Sequence, residues 1–424
     1  MKAPIPAHVD PCDAADASGR PLPLHEARAR ILSAVTPVEG AEIVALRAAL
    51  GRVLYADVHS SIDVPGHANS AMDGFAVAGR DLPTHGEQTF RVLGTAWAGR
   101  PYEGPVGPGE CVRIMTGAPL PQGCDTVVMQ EHVHADDLQA TISAGHRAGQ
   151  HVRAAGEDVR SGAVALRAGI LLDPAELGLL ASLGIGEVEV RRRPRVAFLS
   201  TGDELVGVGQ RLAAGQIYDS NRYTLYGMLV RAGVEALDMG VVRDCRDDIE
   251  RAFATAAACA DAIVTSGGVS VGAADFVATT LERLGEVEFW KVAMKPGKPI
   301  TFGRIGRALF FGLPGNPVSV MATFYQLVQP ALRAMMGVRS QDPPLLLRAI
   351  CESRLHKKPG RLEFQRGIFE RQPSGQYVVR SVDHQGAGVL RSMTEANCFI
   401  VLPLDQDAVA PGAEVEIQPF AGLV

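Results

Sequence analysis

Lysine is scarce in this 424-residue chain. Of 41 basic residues only six are lysine, and Lys291, Lys295 and Lys298 fall together in FWKVAMKPGKPITFG (289–303). Arginine carries the positive charge elsewhere. Lysine is a compact, mobile point charge suited to phosphate oxygens. Pro296, Gly297 and Pro299 break regular structure around the cluster, which predicts a stiff loop.

Other absences narrow the functional classes. The seven cysteines (Cys12, Cys111, Cys124, Cys245, Cys259, Cys351 and Cys398) are dispersed, odd in number and without a CxxC pair. That argues against a disulfide framework or structural zinc site and for a reducing, cytoplasmic compartment. The most apolar region, 169–186, is broken by Asp173, Pro174 and Glu176, so no membrane span is expected. Residues 1–21 lack an apolar core, carry acids and read as a disordered tail, not a signal peptide. A net charge of −6 and a pI near 6.0 argue against nucleic acid as a partner, though not against a local basic pocket. Neither GxxxxGK[ST] nor GxSxG occurs. His132 and His134 lack further metal-ligand spacing and read as strand residues.

What is present organises into several units. Hydrophobic residues make up 47% of the chain, enough for more than one core. The spacing in 23–35 predicts an amphipathic helix, with helical character again over Glu42–Ala49. Residues 62–152 are dense in Gly, Pro and short β-like runs and predict a small β-rich domain. Asp173, Pro174 and Glu176 are placed to start a helix that stops near Gly184. From Arg195 to about 338, strands alternate with helices near 220–232, 247–259, 274–284 and 317–336. That pattern predicts an α/β domain with a parallel sheet. Beyond it, short strands and turns predict a terminal β-rich domain.

The turns after the α/β strands hold the polar chemistry: STGDEL (200–205), RD (243–244), SGGVSVGAAD (266–275), KPGKP (295–299) and LPGNPVS (313–319). All fall at strand carboxyl ends, where open α/β sheets bind ligands. Gly267, Gly268 and Gly272 let backbone approach an anion, and Ser266 and Ser270 add hydroxyl donors. Glu204, Asp244 and Asp275 supply hard oxygens suited to Mg²⁺. For each acid a helix cap or a surface ion pair is the alternative, and Asp275 can cap the helix after it. Asp219 or Ser220 of the DSN element (219–221) can likewise be an N-cap, and Asp63 and Asp73 can be simple turn residues.

The ordered set DVPGHANSAMDGFAV, RIMTGAP, GEDV, STGDEL, DSN, SGGVSVGAAD, KPGKP, GLPGNPVS and QRG…NCFIVLP resembles the molybdopterin molybdenumtransferases, and is similar to the E-domain of gephyrin. The resemblance runs from about residue 22 to the C-terminus. It implies a linking segment (22–61 and 153–191), a β-rich domain (62–152), an α/β molybdopterin-binding domain (192–338) and a β-barrel-like domain (339–424), in an elongated subunit of a homodimer. The active cleft is expected between the α/β domain of one subunit and the β-rich domain of the other.

The implied reaction takes molybdate and adenylated molybdopterin, with Mg²⁺, and releases AMP. Asp73, Thr116, Asp158, Glu204, Asp244, Asp275, Lys291 and Lys295 match catalytic positions, with Glu204, Asp244 and Asp275 as the metal's carboxylates. Ser220, Asn221, Ser266, Gly267, Gly268, Ser270, Lys298, Pro314 and Pro317 match substrate-binding positions. Ser319, Arg366 and, more weakly, Ser392 match the region expected to face molybdate. The departure is Ala387, where relatives often carry Ser. A molybdopterin adenylyltransferase, similar in its middle domain alone, and a gephyrin-like scaffold are the competing readings. Partners implied are the adenylyltransferase and cofactor-accepting enzymes.

Overall fold

A computed structural model describes residues 21–267, 276–339 and 343–421. The expected tail therefore lies almost wholly outside the described residues.

The α/β unit holds a six-stranded sheet in the order Glu235–Val242, Arg195–Thr201, Ala262–Ser266, Ala308–Leu313, Pro299–Ile305, Gly285–Lys291. Its inner strands, Arg195–Thr201, Ala262–Ser266 and Ala308–Leu313, are buried nearly throughout because helices cover both faces. Val196, Phe198, Val264 and Phe311 pack on helices Ser220–Arg231 and 317–335. Ala197, Leu199, Ile263 and Phe310 pack on helices Arg246–Cys259 and Phe276–Leu284. The sheet is mixed, a correction to the parallel expectation. Pro299–Ile305 runs antiparallel to both neighbours. The cause is a two-residue hairpin turn, in which Gly306 takes φ +59° and Ile305 pairs with Ala308. The strand order reverses between Arg195–Thr201 and Ala262–Ser266, the usual ligand crevice of such sheets.

Of the helical character expected over Glu42–Ala49 only a 3₁₀ turn at Leu46–Ala48 forms, and strand Ala41–Ala45 takes the residues before it, pairing with Glu187–Arg191. Cross-strand pairing overrides the local preference there. The helix at 173–184 forms as expected, over Pro174–Ser182, and the Glu176 carboxylate accepts the Asp173 N–H at 3.0 Å. The β-rich sheet, order 126–129, 74–77, 110–114, 87–96, 139–143, 133–135, buries both faces in separate clusters around Phe75 and Ala76. It joins the rest through a two-stranded neck, with Val58–His59 against Val164–Leu166 and Asn69–Ser70 against Val152–Arg153. His134 lies in a strand, but His132 ends the short turn Gln130–His132 before it.

Five C-terminal strands close into a barrel, since Leu362–Arg371 pairs with both Tyr377–Ser381 and Cys398–Leu402. One hydrophobic core runs without a break from helix Leu24–Ala34 through the α/β face to Phe364, Phe399 and Val401 of the barrel. Helix Leu24–Ala34 thus packs with the α/β unit, although sequence placed it in the linking segment. Arg28 fixes it there. The helix at 317–335 widens to a π-turn over Phe324–Val328, just before Pro330. Pro330 has no N–H for the carbonyl four residues back. Arg28 Nε donates to that Gln326 carbonyl at 3.0 Å, and Arg28 Nη2 to Gln326 Oε1 at 3.0 Å. Gln326 Nε2 in turn donates to Gln418 Oε1 of the barrel at 2.7 Å. Burial lowers the Arg28 pKa, so the guanidinium is tolerated for the bonds it makes.

Arg28→Ala is expected to destabilise the protein by about 2 kcal/mol in urea titrations, because it strands Gln326. Arg30→Ala, on the exposed side of the same helix, is expected to change stability by less than about 0.5 kcal/mol.

Candidate active site

A cavity of about 870 Å³ lies between the carboxyl edge of the α/β sheet and the rim of the barrel. The sheet edge contributes Thr201, Gly202, Glu204, Asp244, Gly267, Pro314–Asn316 and Ser319. The barrel contributes Arg354, His356, Arg361, Glu363–Arg366, Asp383, Gln385 and Ala387. The lysine loop, Met294–Pro299, forms the seam.

The seam is built by backbone pairing. Met294 and Lys295 form a two-residue strand parallel to Leu362 and Glu363, and Leu362 N–H donates to Ala293 O at 2.9 Å. The expected stiff loop is therefore also a strand of the barrel sheet. Lys295 Nζ reaches Glu363 Oε1 and Oε2 at 3.2 and 3.3 Å. Lys298 lines the same cavity, while Lys291 does not. The Lys291 carbonyl instead accepts the Leu22 N–H at 2.8 Å, which holds the N-terminal segment against the sheet.

Local structure positions the remaining turns. Asp219 caps the helix Ser220–Arg231, accepting the Arg222 N–H at 3.1 Å and the Ser200 hydroxyl at 3.0 Å. Asn221 then reaches across the strand switch and donates to Ser266 Oγ at 3.1 Å and Gly315 O at 2.8 Å. One amide thus ties two turns together, and Ser266 and Ser220 do not line the cavity. Gly267 sits at φ +89°, and a Cβ there would meet Thr201 O at 2.8 Å, so the close approach requires glycine. Pro317 starts the following helix, while Pro314 and Ser319 face the cavity.

The two walls differ in charge. Glu204 and Asp244 stand on the sheet edge, and burial raises the Asp244 pKa, with Asp203 and Glu204 pushing the same way. Neither has a basic partner among the ion pairs of the described residues. No group of three or more His, Cys, Asp or Glu side chains is placed to hold a metal among the described residues. Gly268, Ser270 and Asp275 lie outside the described residues. On the barrel, Arg366 is 1% exposed, and burial lowers its pKa to about 10. Its Nε donates to Ser392 Oγ at 3.1 Å and its Nη2 to the His384 and Gly386 carbonyls, both at 3.2 Å. All three acceptors are neutral. Ser392 thus holds Arg366 rather than lining the cavity. Ala387 lines the cavity, and its carbonyl accepts the Val318 N–H at 3.0 Å, a contact independent of the missing hydroxyl.

Three expected residues lie elsewhere. Asp73 accepts the Thr116 backbone N–H at 2.7 Å and its hydroxyl at 2.8 Å, in the β-rich domain. Those two bonds, backbone first, hold the Asp73 carboxyl below its ordinary 3.8. Asp158 donates its backbone N–H to Val64 O at 3.0 Å in the neck. Conversely, Arg354, His356, Arg361 and Glu363 line the cavity without having been singled out by sequence. The basic run RLHKKPGR (354–361) was the available signal.

Comparison with known proteins covers nearly the whole chain. Residues 22–184 match a family model described as the MoeA N-terminal region (domains I and II), and 197–334 a probable molybdopterin binding domain. Residues 348–420 match the MoeA C-terminal region (domain IV). A molybdopterin molybdenumtransferase of Haemophilus influenzae is 44% identical over 404 residues, covering 95% of this chain and all of that protein. One from Nostoc is 35% identical over 413 residues, covering 93% of each. The crystal structure of a molybdopterin biosynthesis moeA protein from Pyrococcus horikoshii superposes with a TM-score of 0.82 at 28% identity, covering 95% of this chain and 100% of that one.

Asn221→Ala is expected to reduce stability by about 1–2 kcal/mol in denaturant titrations, through loss of both bonds that tie the turns. The Asp73 carboxyl, followed by carbon-detected NMR, is expected to titrate below 3.8, and Thr116→Val to return it upward. Because the folded pKa is depressed, stabilisation by this contact is full above the unfolded carboxylate pKa. It is lost as pH falls through the folded value.

Proposed function

The chain belongs to the molybdopterin molybdenumtransferase family, and we propose that it inserts molybdenum from molybdate into adenylated molybdopterin, with phosphoanhydride cleavage and release of AMP. The observation that carries this reading is the cavity's charge, with two carboxylates without basic partners on the sheet edge and five lysine and arginine side chains on the seam and barrel, against Glu363 and Asp383 there.

Lys295, Lys298 and Arg366 supply N–H donors to tetrahedral oxyanions, and Arg366 already has its guanidinium fixed by neutral acceptors. Ser319 adds a hydroxyl from the start of the helix at 317–335. Glu204 and Asp244 suit a hydrated Mg²⁺, because crowding of like charge is what a hard divalent cation relieves. Bound there, Mg²⁺ would neutralise charge on the anhydride phosphates. The chain's own groups hold the pterin phosphate and molybdate close together and orient them before cleavage. Gly267 lets backbone approach the ligand, and Asn221 keeps its turn in place.

Asp73, Thr116 and Asp158 act, on this reading, in the cleft of the other subunit of a homodimer. Tyr223, Tyr226 and Val230 support a dimer, being 53%, 53% and 50% exposed on one helix face. A cytoplasmic setting agrees with the family chemistry, and no described helix is long and apolar enough to cross a membrane. The adenylyltransferase that makes the adenylate and the enzymes that accept the cofactor are the partners proposed.

The test is AMP release from adenylated molybdopterin with Mg²⁺, with and without molybdate, read also by activation of a cofactor-free molybdoenzyme. Molybdate-dependent activation is expected. AMP release without activation, or neither signal from folded protein, would overturn the insertase reading. Lys295→Ala and Asp244→Ala are each expected to lower turnover by about 100-fold or more while the dimer persists.

A further inference from the structure

Glu363 and Asp383 are the two acids among the cations of this wall, and Glu363 is the one paired with a lysine. Its side chain is 3% exposed, whereas that of Lys295 is 47% exposed. Strand pairing sets Lys295 directly opposite Glu363. The ammonium is shared between the two carboxylate oxygens at 3.2 and 3.3 Å. Gln365 Nε2 donates to Oε2 at 3.1 Å and to the His356 carbonyl at 3.0 Å, so the carboxylate is held from behind. Lys357, the nearby buried ammonium, is committed to the Leu404 and Gln406 carbonyls at 3.3 and 2.9 Å.

Both carboxylate oxygens accept here, Oε1 from Lys295 and Oε2 from Lys295 and Gln365, whereas a glutamine would keep one acceptor oxygen and leave part of this need unmet. A carboxylate does something more. It cancels part of the Lys295 charge, and it repels any oxyanion that Lys295, Lys298 and Arg366 attract. An anion held equally well before and during reaction gains no rate, so a weaker ground-state hold leaves more interaction for the transition state. An ammonium has three N–H donors, and the shared contact leaves donors able to turn into the cavity.

We propose that Glu363 is a positioning residue for the molybdate step: its carboxylate fixes the Lys295 ammonium at the cavity wall and weakens the ground-state hold on the oxyanion. The inference rests on the insertase reading, and it assigns the residue that sets how tightly molybdate is held. Loss of a full like charge near the anion outweighs loss of one side-chain restraint, which fixes the sign of the expected change.

The experiment is calorimetric titration of the full-length protein with molybdate and with sulfate, beside turnover measurements. Glu363→Gln is expected to tighten binding of both anions about tenfold while kcat falls. Lys295→Ala is expected to weaken binding, and Lys295→Ala/Glu363→Gln to recover part of that loss, because the stranded carboxylate is gone. If Glu363→Gln does not fold, the comparison of Lys295→Ala with the double variant decides. Wild-type or weaker anion binding by Glu363→Gln overturns the proposal, as does a double variant that regains stability without regaining affinity. Wild-type turnover with either of those results sinks this inference alone. No turnover and no molybdate binding by the wild type sinks the insertase reading with it.

Discussion

The pairing of Met294–Lys295 with Leu362–Glu363 is the contact on which the rest of the site depends. It makes one stretch of chain belong to two domains. The loop that leaves the α/β sheet at Lys291 becomes an edge of the barrel sheet before returning as the strand Pro299–Ile305. Beneath it, the α/β face and the barrel share a single core that includes Phe311, Leu313, Phe364 and Phe399. A cavity bounded by backbone pairing above and shared packing below has walls that keep their spacing. That is what two anionic reactants need if they are to meet in one orientation.

The charge pattern follows from where each wall originates. Glu204 and Asp244 stand at strand ends of the sheet, where turns expose side chains. The cations arise on the seam and on the barrel rim. Burial acts oppositely on the two: it raises the Asp244 pKa and lowers that of Arg366. Both groups therefore sit in surroundings that favour a ligand of the opposite sign.

Much of this was readable from the chain. The alternation of strands and helices after Arg195 gave the α/β unit, and Gly/Pro-rich turns marked the edge that lines the cavity. The capped helix at Pro174 was written in local chemistry. What local pattern could not supply was long-range pairing. AEIVA (41–45) has no strand signal strong enough to overcome neighbouring helix formers until Glu187–Arg191 lies beside it. Pro299–Ile305 was hidden because its direction depends on a hairpin turn at Gly306. Glu363 was missed because its meaning lies in Lys295, sixty-eight positions earlier in the chain. The motif order carried the family, while the partnership between its lysine loop and its barrel required coordinates.

The neck described above has a mechanical consequence. Around the α/β unit, Arg28, Gln326 and Gln418 lash an N-terminal helix, a bulged helix and the barrel into one block. The β-rich domain is carried on a two-stranded ribbon made of two short antiparallel pairs with a bridge of Val64 to Val159 between them. Rotation about such a ribbon breaks few bonds, whereas displacement of the barrel would tear a buried amide chain and a shared core. The ribbon is therefore the place where the least pairing would have to yield for one domain to turn against the rest. That domain carries Asp73 and Thr116.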